Sequence, residues 1–372
     1  AAPARHGRRW ARAGAVLVCV IWLVVAPRAG EPASTLPDRI SDQQFWQLVT
    51  DMSETSGHFP SDNLVSNELT FQWVIPELQR RSGEGRAYLG VGPDQNFTYL
   101  ASLQPSIAFI VDIRRDNLRL QLMYKALLEL SPTRAQFLSR LFSREVPAGL
   151  AADAPVERIF EAIEAGTPSQ ERHNDTLKLI KHHLRVQHGF AISDEDFAGV
   201  EYVLTAFFYA GPSLAYSNAG RGRYPTYQDL MSAADQEGQQ RSYLANETLY
   251  GRLRAMELRN LIIPLVGDFA GPKALRDVGA YLAAHNTVVG TIYTSNVEQY
   301  LFQYETWRAY YANVGTLPLD ERSTFVRSCF TQCMAPAGSR SVQLLDPVAA
   351  LLRDVTGGRI ASYYDLLTRS TR

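Results

Sequence analysis

Cysteine is scarce, net charge is almost absent, and no apolar run reaches the roughly 20 residues that a comfortable membrane span needs. The 372 residues contain three cysteines, and 37 Lys and Arg against 38 Asp and Glu leave a formal charge of −1. No overall field therefore gathers nucleic acid or acidic lipid. Cys19 lies in an apolar run after the bulky Val18, which is unlike a lipoprotein signal. Cys329 and Cys333 remain, with no second Cys or His pair in sight to complete a metal motif. Two free buried thiols are expected there, because a bridge across four residues needs a turn of the backbone. The sequence also lacks a Ser/His/Asp order, a nucleophile elbow, a phosphate loop and any repeat. What is present, 46% apolar and 20% charged residues, is a globular chain with a sizeable core, long enough for two domains or for one with an insertion.

At the N-terminus Arg5, Arg8, Arg9 and Arg12 precede the apolar run from Ala13 to Ala26, and a polar stretch follows from Pro27 to Pro37. A basic region and about a dozen apolar residues have the proportions of a secretory signal. Pro27 and Arg28 interrupt the usual small-residue cleavage site, so an uncleaved membrane anchor is the alternative. The arginine bias would keep the N-terminus inside and export the body. Arg8-Arg9 hints at a twin-arginine signal, and a buried helix of the globular domain is the bland reading. The expected location is exported, periplasmic or membrane-anchored, with cytoplasmic as the alternative.

Residues 1–40 thus read as signal or anchor segment and linker. Ser41 opens a short helix bearing Phe45, Trp46, Leu48 and Val49. Ser66-Asn67-Glu68 opens another with Phe71, Trp73, Val74 and Leu78, kinked at Pro76. Ala87–Val91 and Ile107–Val111 are short apolar runs of strand length, followed by helices Phe97–Leu103 and Asp116–Leu130. Such alternation implies a parallel sheet with right-handed crossovers. Residues 41–130 form the first part of an α/β core. From 131 to 259 the pattern is helical, at Val156–Ala165, Asp175–Gln187, Asp194–Tyr209 and Tyr243–Leu258, and reads as an insertion or cap. Residues 260–372 complete the core, with strands Leu261–Val266 and Thr287–Tyr293 and two more near Ser323–Phe330 and Ser341–Leu345. The fold class is α/β, a doubly wound, mainly parallel, Rossmann-like sheet with a large helical insertion.

Gly90-Val91-Gly92 follows the first strand, and Asp112 ends the second, twenty residues beyond Gly92. Glycines there let the backbone approach a ligand, and an acidic residue at that spacing suits ribose hydroxyls. A dinucleotide site would have a third glycine where Gln95 stands. The pattern resembles class I S-adenosylmethionine-dependent methyltransferases, in which a glycine-rich loop holds the methionine part of the cofactor and an acidic residue holds the ribose. Val266-Gly267-Asp268 looks like the third-strand ending whose aspartate contacts the adenine. Thr294-Ser295-Asn296-Val297-Glu298 looks like the segment lining the methyl-transfer site. The matches cover residues 86–130 and 260–302. They imply S-adenosylmethionine as cofactor, bound through Gly90, Gly92, Asp94, Asp112, Asp268 and Ser295, with Tyr293, Asn296 and Glu298 beside the transferred methyl. The sequence departs from the family at Tyr88, where an acidic residue is usual, and at Pro93-Asp94, where Asp94 replaces a glycine. It has no Asn-Pro-Pro-Tyr-type motif. It is also similar to an uncharacterised family of exported bacterial proteins with a methyltransferase-like core.

Each candidate has a structural alternative. Gly90 and Gly92 serve tight turns, Asp112 caps a helix or pairs with Arg114 or Arg115, and Asp268 makes a turn. Ser295 N-caps the next helix, with Glu298 completing a capping box. His182, His183 and His188 are never three or four apart, which favours a solvated helix and no metal site. Ser61-Asp62-Asn63 and Ser66-Asn67-Glu68 form a lid or two helix caps. Two functions follow. One is methyl transfer to an unknown acceptor. The other is an exported, non-catalytic protein that keeps the fold and binds a small ligand or partner, with no nucleic acid involved.

Overall fold

Apolar runs without polar alternation make strands covered on both faces, and two such runs flank the glycine pair. In the computed structural model they are β1 (Ala87–Gly90) and β2 (Ile107–Asp112), every residue of which is buried. The structure describes residues 33–146, 149–216, 224–330 and 332–370. β3 (Ile262–Val266), β4 (Val289–Ser295), β5 (Thr324–Cys329) and β6 (Val342–Pro347) join the same sheet. The strand order is β3-β2-β1-β4-β5-β6. β1 to β5 run parallel, and β6 returns antiparallel to β5. The protein is therefore α/β with a mostly parallel six-stranded sheet.

The edge strand β3 tolerates Pro264 because one side of it needs no ladder donor. That edge is partly covered by the chain leaving α1 (Asp42–Met52): Ser53 Oγ accepts from Val266 N at 3.1 Å, and Glu54 N donates to Val266 O at 2.8 Å. α1 begins at Ser41 with a reciprocal capping box to Gln44 and buries Phe45 and Val49. The next helix departs from expectation. It does not open at Ser66, but as a 3₁₀ turn over Phe71–Val74 that passes into α2 (Ile75–Ser82). Pro76 falls in the first turn of α2, where a missing N–H costs nothing, so it starts the helix rather than kinking it. Residues 66–70 are left non-helical, and this frees Glu68 to turn towards the sheet.

α3 (Gln95–Leu103) links β1 to β2, and α4 (Arg115–Leu130) follows β2. Among the described residues from 131 to 259, the α-helices are α5 (Arg134–Phe142), α6 (Val156–Ala165), α7 (Gln170–His182), α8 (Asp194–Ala210), α9 (Tyr227–Ser232) and α10 (Glu247–Leu258), with a 3₁₀ turn at Gly211–Ser213 and one isolated bridge between Ala215 and Thr226. α8 packs on α4, and α10 packs on α3 and α4. Aromatic edges hold this layer together, among them Tyr124 on Phe207 and Phe137 on Tyr243. α7 runs into a π-helical turn, His183–Gln187. Widening the turn brings residues five apart face to face. His183 and His188, expected on a solvated helix, are accordingly half-buried and in contact.

α11 (Ala274–Ala284) joins β3 to β4, α12 (Val297–Gln303) and α13 (Trp307–Val314) follow β4, and α14 (Val348–Thr356) and α15 (Tyr363–Arg369) close the chain. Cys329 and Cys333 are not free thiols. β5 ends at Cys329, and the two Cα atoms lie 5.8 Å apart in a disulfide. Among the described residues no helix is long and apolar enough to cross a membrane. The arginine-rich and apolar N-terminal segment lies outside the described residues.

Candidate functional site

The carboxyl ends of β1 to β4 open into a cleft of about 750 Å³. β1 lies between β2 and β4, so the connection leaving β1 turns one way and β4 stands on the other. That reversal makes the crevice in which open α/β sheets place ligands. Four strand endings form its floor: Gly92 and Pro93, Asp112 to Arg114, Gly267 to Phe269, and Ser295 to Val297. The segment from His58 to Glu68 forms one wall, and Tyr216, Tyr224, Tyr300 and Tyr304 contribute to the rim.

The glycine turn is stapled by its own helix. Asn96 Nδ2 donates to Val91 O at 2.9 Å and Pro93 O at 2.8 Å, while its Oδ1 accepts from the Tyr88 hydroxyl at 2.8 Å. Gly90 is required because a Cβ there would collide with Asn96 Oδ1. Its role is therefore to admit a side chain of this protein, and Gly90 does not line the cleft. Gly92 does, with φ +82° in the region that favours glycine. Asp94, expected near the cofactor, points the other way. It is buried beneath the helical layer, accepts from the Tyr243 hydroxyl at 3.2 Å, and leaves Oδ1 without a partner. Burial pushes its carboxyl up to about 7, against the lowering effect of that hydrogen bond.

Asp112 lines the cleft at the tip of β2, where it is gripped by Arg114. Oδ1 accepts from Arg114 N at 2.9 Å and Nε at 3.1 Å, and Oδ2 from Nη2 at 3.0 Å. Arg114 Nη1 also donates to the carbonyls of Ser61 and Asp62, tying the wall segment to the sheet. Asp268 lines the cleft too, and its Oδ1 accepts from Ala270 N at 2.8 Å in a side-chain-closed turn.

β4 ends in the most crowded corner. Tyr293, Ser295 and Asn296 face the cleft. Ser295 does not cap α12. It has φ +50°, the N-cap position belongs to Asn296, and the Ser295 hydroxyl donates to Glu68. Glu298 is absent from the cleft, which corrects its expected place beside a transferred methyl. Arg327 takes both its oxygens, Nε to Oε2 at 2.6 Å and Nη2 to Oε1 at 3.2 Å, and the Tyr311 hydroxyl adds a bond at 2.7 Å. A buried carboxylate is drawn to the strongest bidentate donor within reach, and here that donor stands on β5.

Glu68, expected in a lid or at a helix cap, stands in the cleft wall outside any helix. Only 1% exposed, it accepts from the Tyr293 hydroxyl at 2.9 Å, Gln95 Nε2 at 2.9 Å, Gln343 Nε2 at 3.3 Å and Ser295. All four donors are neutral. Burial, followed by the charge of Glu68, raises the Tyr293 phenol well above its ordinary value, so it stays a donor. The polar run Ser66-Asn67-Glu68 marks the segment, but the partners of Glu68 come from α3, β4 and β6 and are not readable from its neighbours along the chain.

A family model described as Domain of unknown function (DUF7790) matches residues 63–343. The chain belongs to this family. The matched span begins at Asn63 in the cleft wall and ends at Gln343 behind Glu68, so it encloses every partner of that carboxylate. No curated protein matches the sequence.

Proposed function

We propose that the chain is a methyltransferase-like protein that binds a small ligand carrying a positive charge in the sheet-end cleft. The observation that carries this reading is Glu68, a buried carboxylate on the cleft lining whose hydrogen-bond donors are all neutral. Neutral dipoles hold a carboxylate in place without cancelling its charge, so a ligand cation would complete the set. The resemblance at the glycine turn and at Asp112 makes S-adenosylmethionine, which carries a sulfonium and an ammonium, the first ligand to try.

The geometry favours binding over methyl transfer. Asp112 already satisfies Arg114, Glu298 is closed in by Arg327, and Tyr293 is held protonated. None of the three is free to serve as a base. Methyl transfer is the second reading, favoured by Tyr293, Ser295 and Asn296 standing together on the cleft beside Glu68, the nearby group able to take a proton. The Cys329–Cys333 disulfide supports an exported body, because such bridges persist in oxidising compartments.

Calorimetric titration with S-adenosylmethionine and its demethylated product tests the reading. The charged form should bind more tightly than the neutral thioether, and Glu68→Gln should remove most of that preference. Binding of neither form would reject S-adenosylmethionine. Equal binding of both would put the ammonium that they share, not the sulfonium, at Glu68, and a Glu68→Gln variant that binds both as well as the wild type would reject the role given to Glu68.

A further inference from the structure

We infer that Glu129, His183 and His188 form a binding site for one divalent first-row metal ion, with zinc the best fit. Glu129 comes from α4 and the histidines from the π-helical turn and the residue after it, well away from the cleft lining. Glu129 Oε2 lies 2.6 Å from the Nε2 atom of each histidine, and the two Nε2 atoms are 3.3 Å apart. An edge of about 3.3 Å belongs to a tetrahedron whose corners stand about 2.0 Å from its centre, the usual zinc–nitrogen distance. The carboxylate oxygen would move outward by about 0.8 Å to complete the third corner, leaving the fourth for water.

The surrounding groups set the tautomers this site needs. His188 Nδ1 is 2.8 Å from Asp42 Oδ1, an atom that can only accept, and Asp42 is held in turn by Asn260 Nδ2 at 2.8 Å. His183 Nδ1 meets Gln187 Oε1. A proton fixed on each Nδ1 leaves each neutral ring with an Nε2 lone pair, the form that ligates a metal, and such outer partners are the rule in metal sites. Three lone pairs then converge on one point. Without an ion, one protonated ring and an Nε2–H tautomer of the other can fill the same contacts, so occupancy by metal or by protons is what the titration decides. One cation satisfies all three.

The local charges are compatible with an ion. Lys125 Nζ holds the other oxygen of Glu129 at 2.8 Å, which leaves Oε2 to bind through one atom. Burial pushes Glu257 up to about 8, so it is neutral at pH 7 and adds nothing. Two carboxylates, Glu129 and Asp42, stand against two cations, Lys125 and Arg254, the latter donating to Glu129 O at 3.0 Å, so the groups around the site are balanced before the ion binds. Phe190 stacks on His188 at 4.8 Å and keeps the ring from turning away.

The test uses the full chain, freed of metal by chelator and titrated with Zn²⁺ and with Co²⁺. One equivalent should bind, Co²⁺ should show the visible bands of a four-coordinate site, and Zn²⁺ should raise the melting temperature. His183→Ala and His188→Ala should each weaken binding at least a hundredfold, and Asp42→Asn about ten- to a hundredfold. His182→Ala should leave it unchanged, since His182 is exposed and outside the cluster. Should a histidine variant fail to fold, the wild-type Co²⁺ spectrum still decides. Absence of stoichiometric binding, a six-coordinate spectrum, or equal loss in His182→Ala would overturn the inference.

Discussion

Glu68 and Glu298 are buried alike, each 1% exposed, yet they stand in opposite chemical states. Glu298 is closed in by Arg327, which also bonds Asp346 Oδ2 at 3.0 Å, and the hydroxyls of Tyr311 and Thr294 complete the set. Glu68 meets two amides and two hydroxyls, and no cation among the described residues. Burial alone therefore does not make a carboxylate functional. The charge of its partners decides whether it holds the fold together or remains available to a ligand.

The largest effect should come from breaking the closed set. Arg327→Met leaves Glu298 without its cation and Asp346 with Arg369 alone, and should cost about 3–5 kcal/mol in denaturant unfolding. Adding Glu298→Leu should recover part of that loss; no recovery would mean that packing, not charge, holds this corner. A second effect comes from Asp94, buried with one hydrogen bond. Its folded value of about 7 lies above the ordinary carboxylate value of 3.8. Its contribution to stability is therefore present below about pH 4 and is lost as pH rises through about 7. Asp94→Asn should stabilise the protein by up to about 4 kcal/mol at pH 8 and by little at pH 4. Equal shifts at both pH values would show that Asp94 ionises freely.

Asp112 tests an intermediate case, a carboxylate on the cleft that already has its arginine. Asp112→Ala should lower stability by about 2 kcal/mol, because it removes three hydrogen bonds and frees Arg114 from the wall segment. An unchanged melting temperature would instead mark it as a free ligand group. The smallest effect on stability belongs to Glu68→Gln, about 1 kcal/mol. Its effect on cation binding should nevertheless exceed that of any other substitution in the cleft. If the variant unfolds as readily as Arg327→Met, the contrast between the two carboxylates fails.

The strands and the α3 and α4 crossover helices were legible because their signals are local. Short apolar runs at Ala87–Val91 and Ile107–Val111 leave few alternatives to buried strands, and Pro264 suits the edge place that β3 takes. Gly92, Asp112, Asp268, Tyr293, Ser295 and Asn296 reach the cleft because each stands at or just beyond a strand end, a position readable from the chain. Glu298 was expected beside a transferred methyl from the resemblance of Thr294–Glu298, or in a capping box with Ser295, and it takes neither place. A guanidinium on β5, with two parallel charge-assisted bonds, holds it instead.

By itself, then, the sequence determined what depends on neighbours along the chain: strands, helices, the turn at Gly92 and the α/β class. Tertiary structure alone decided which charges meet. Glu68 gains Gln343 across 275 positions, Glu129 gains His183 across 54, and Cys329 finds Cys333 only where the chain folds back after β5. Electrostatic partnership depends on distance in space, and a buried side chain takes the strongest partner the fold brings within about 3 Å.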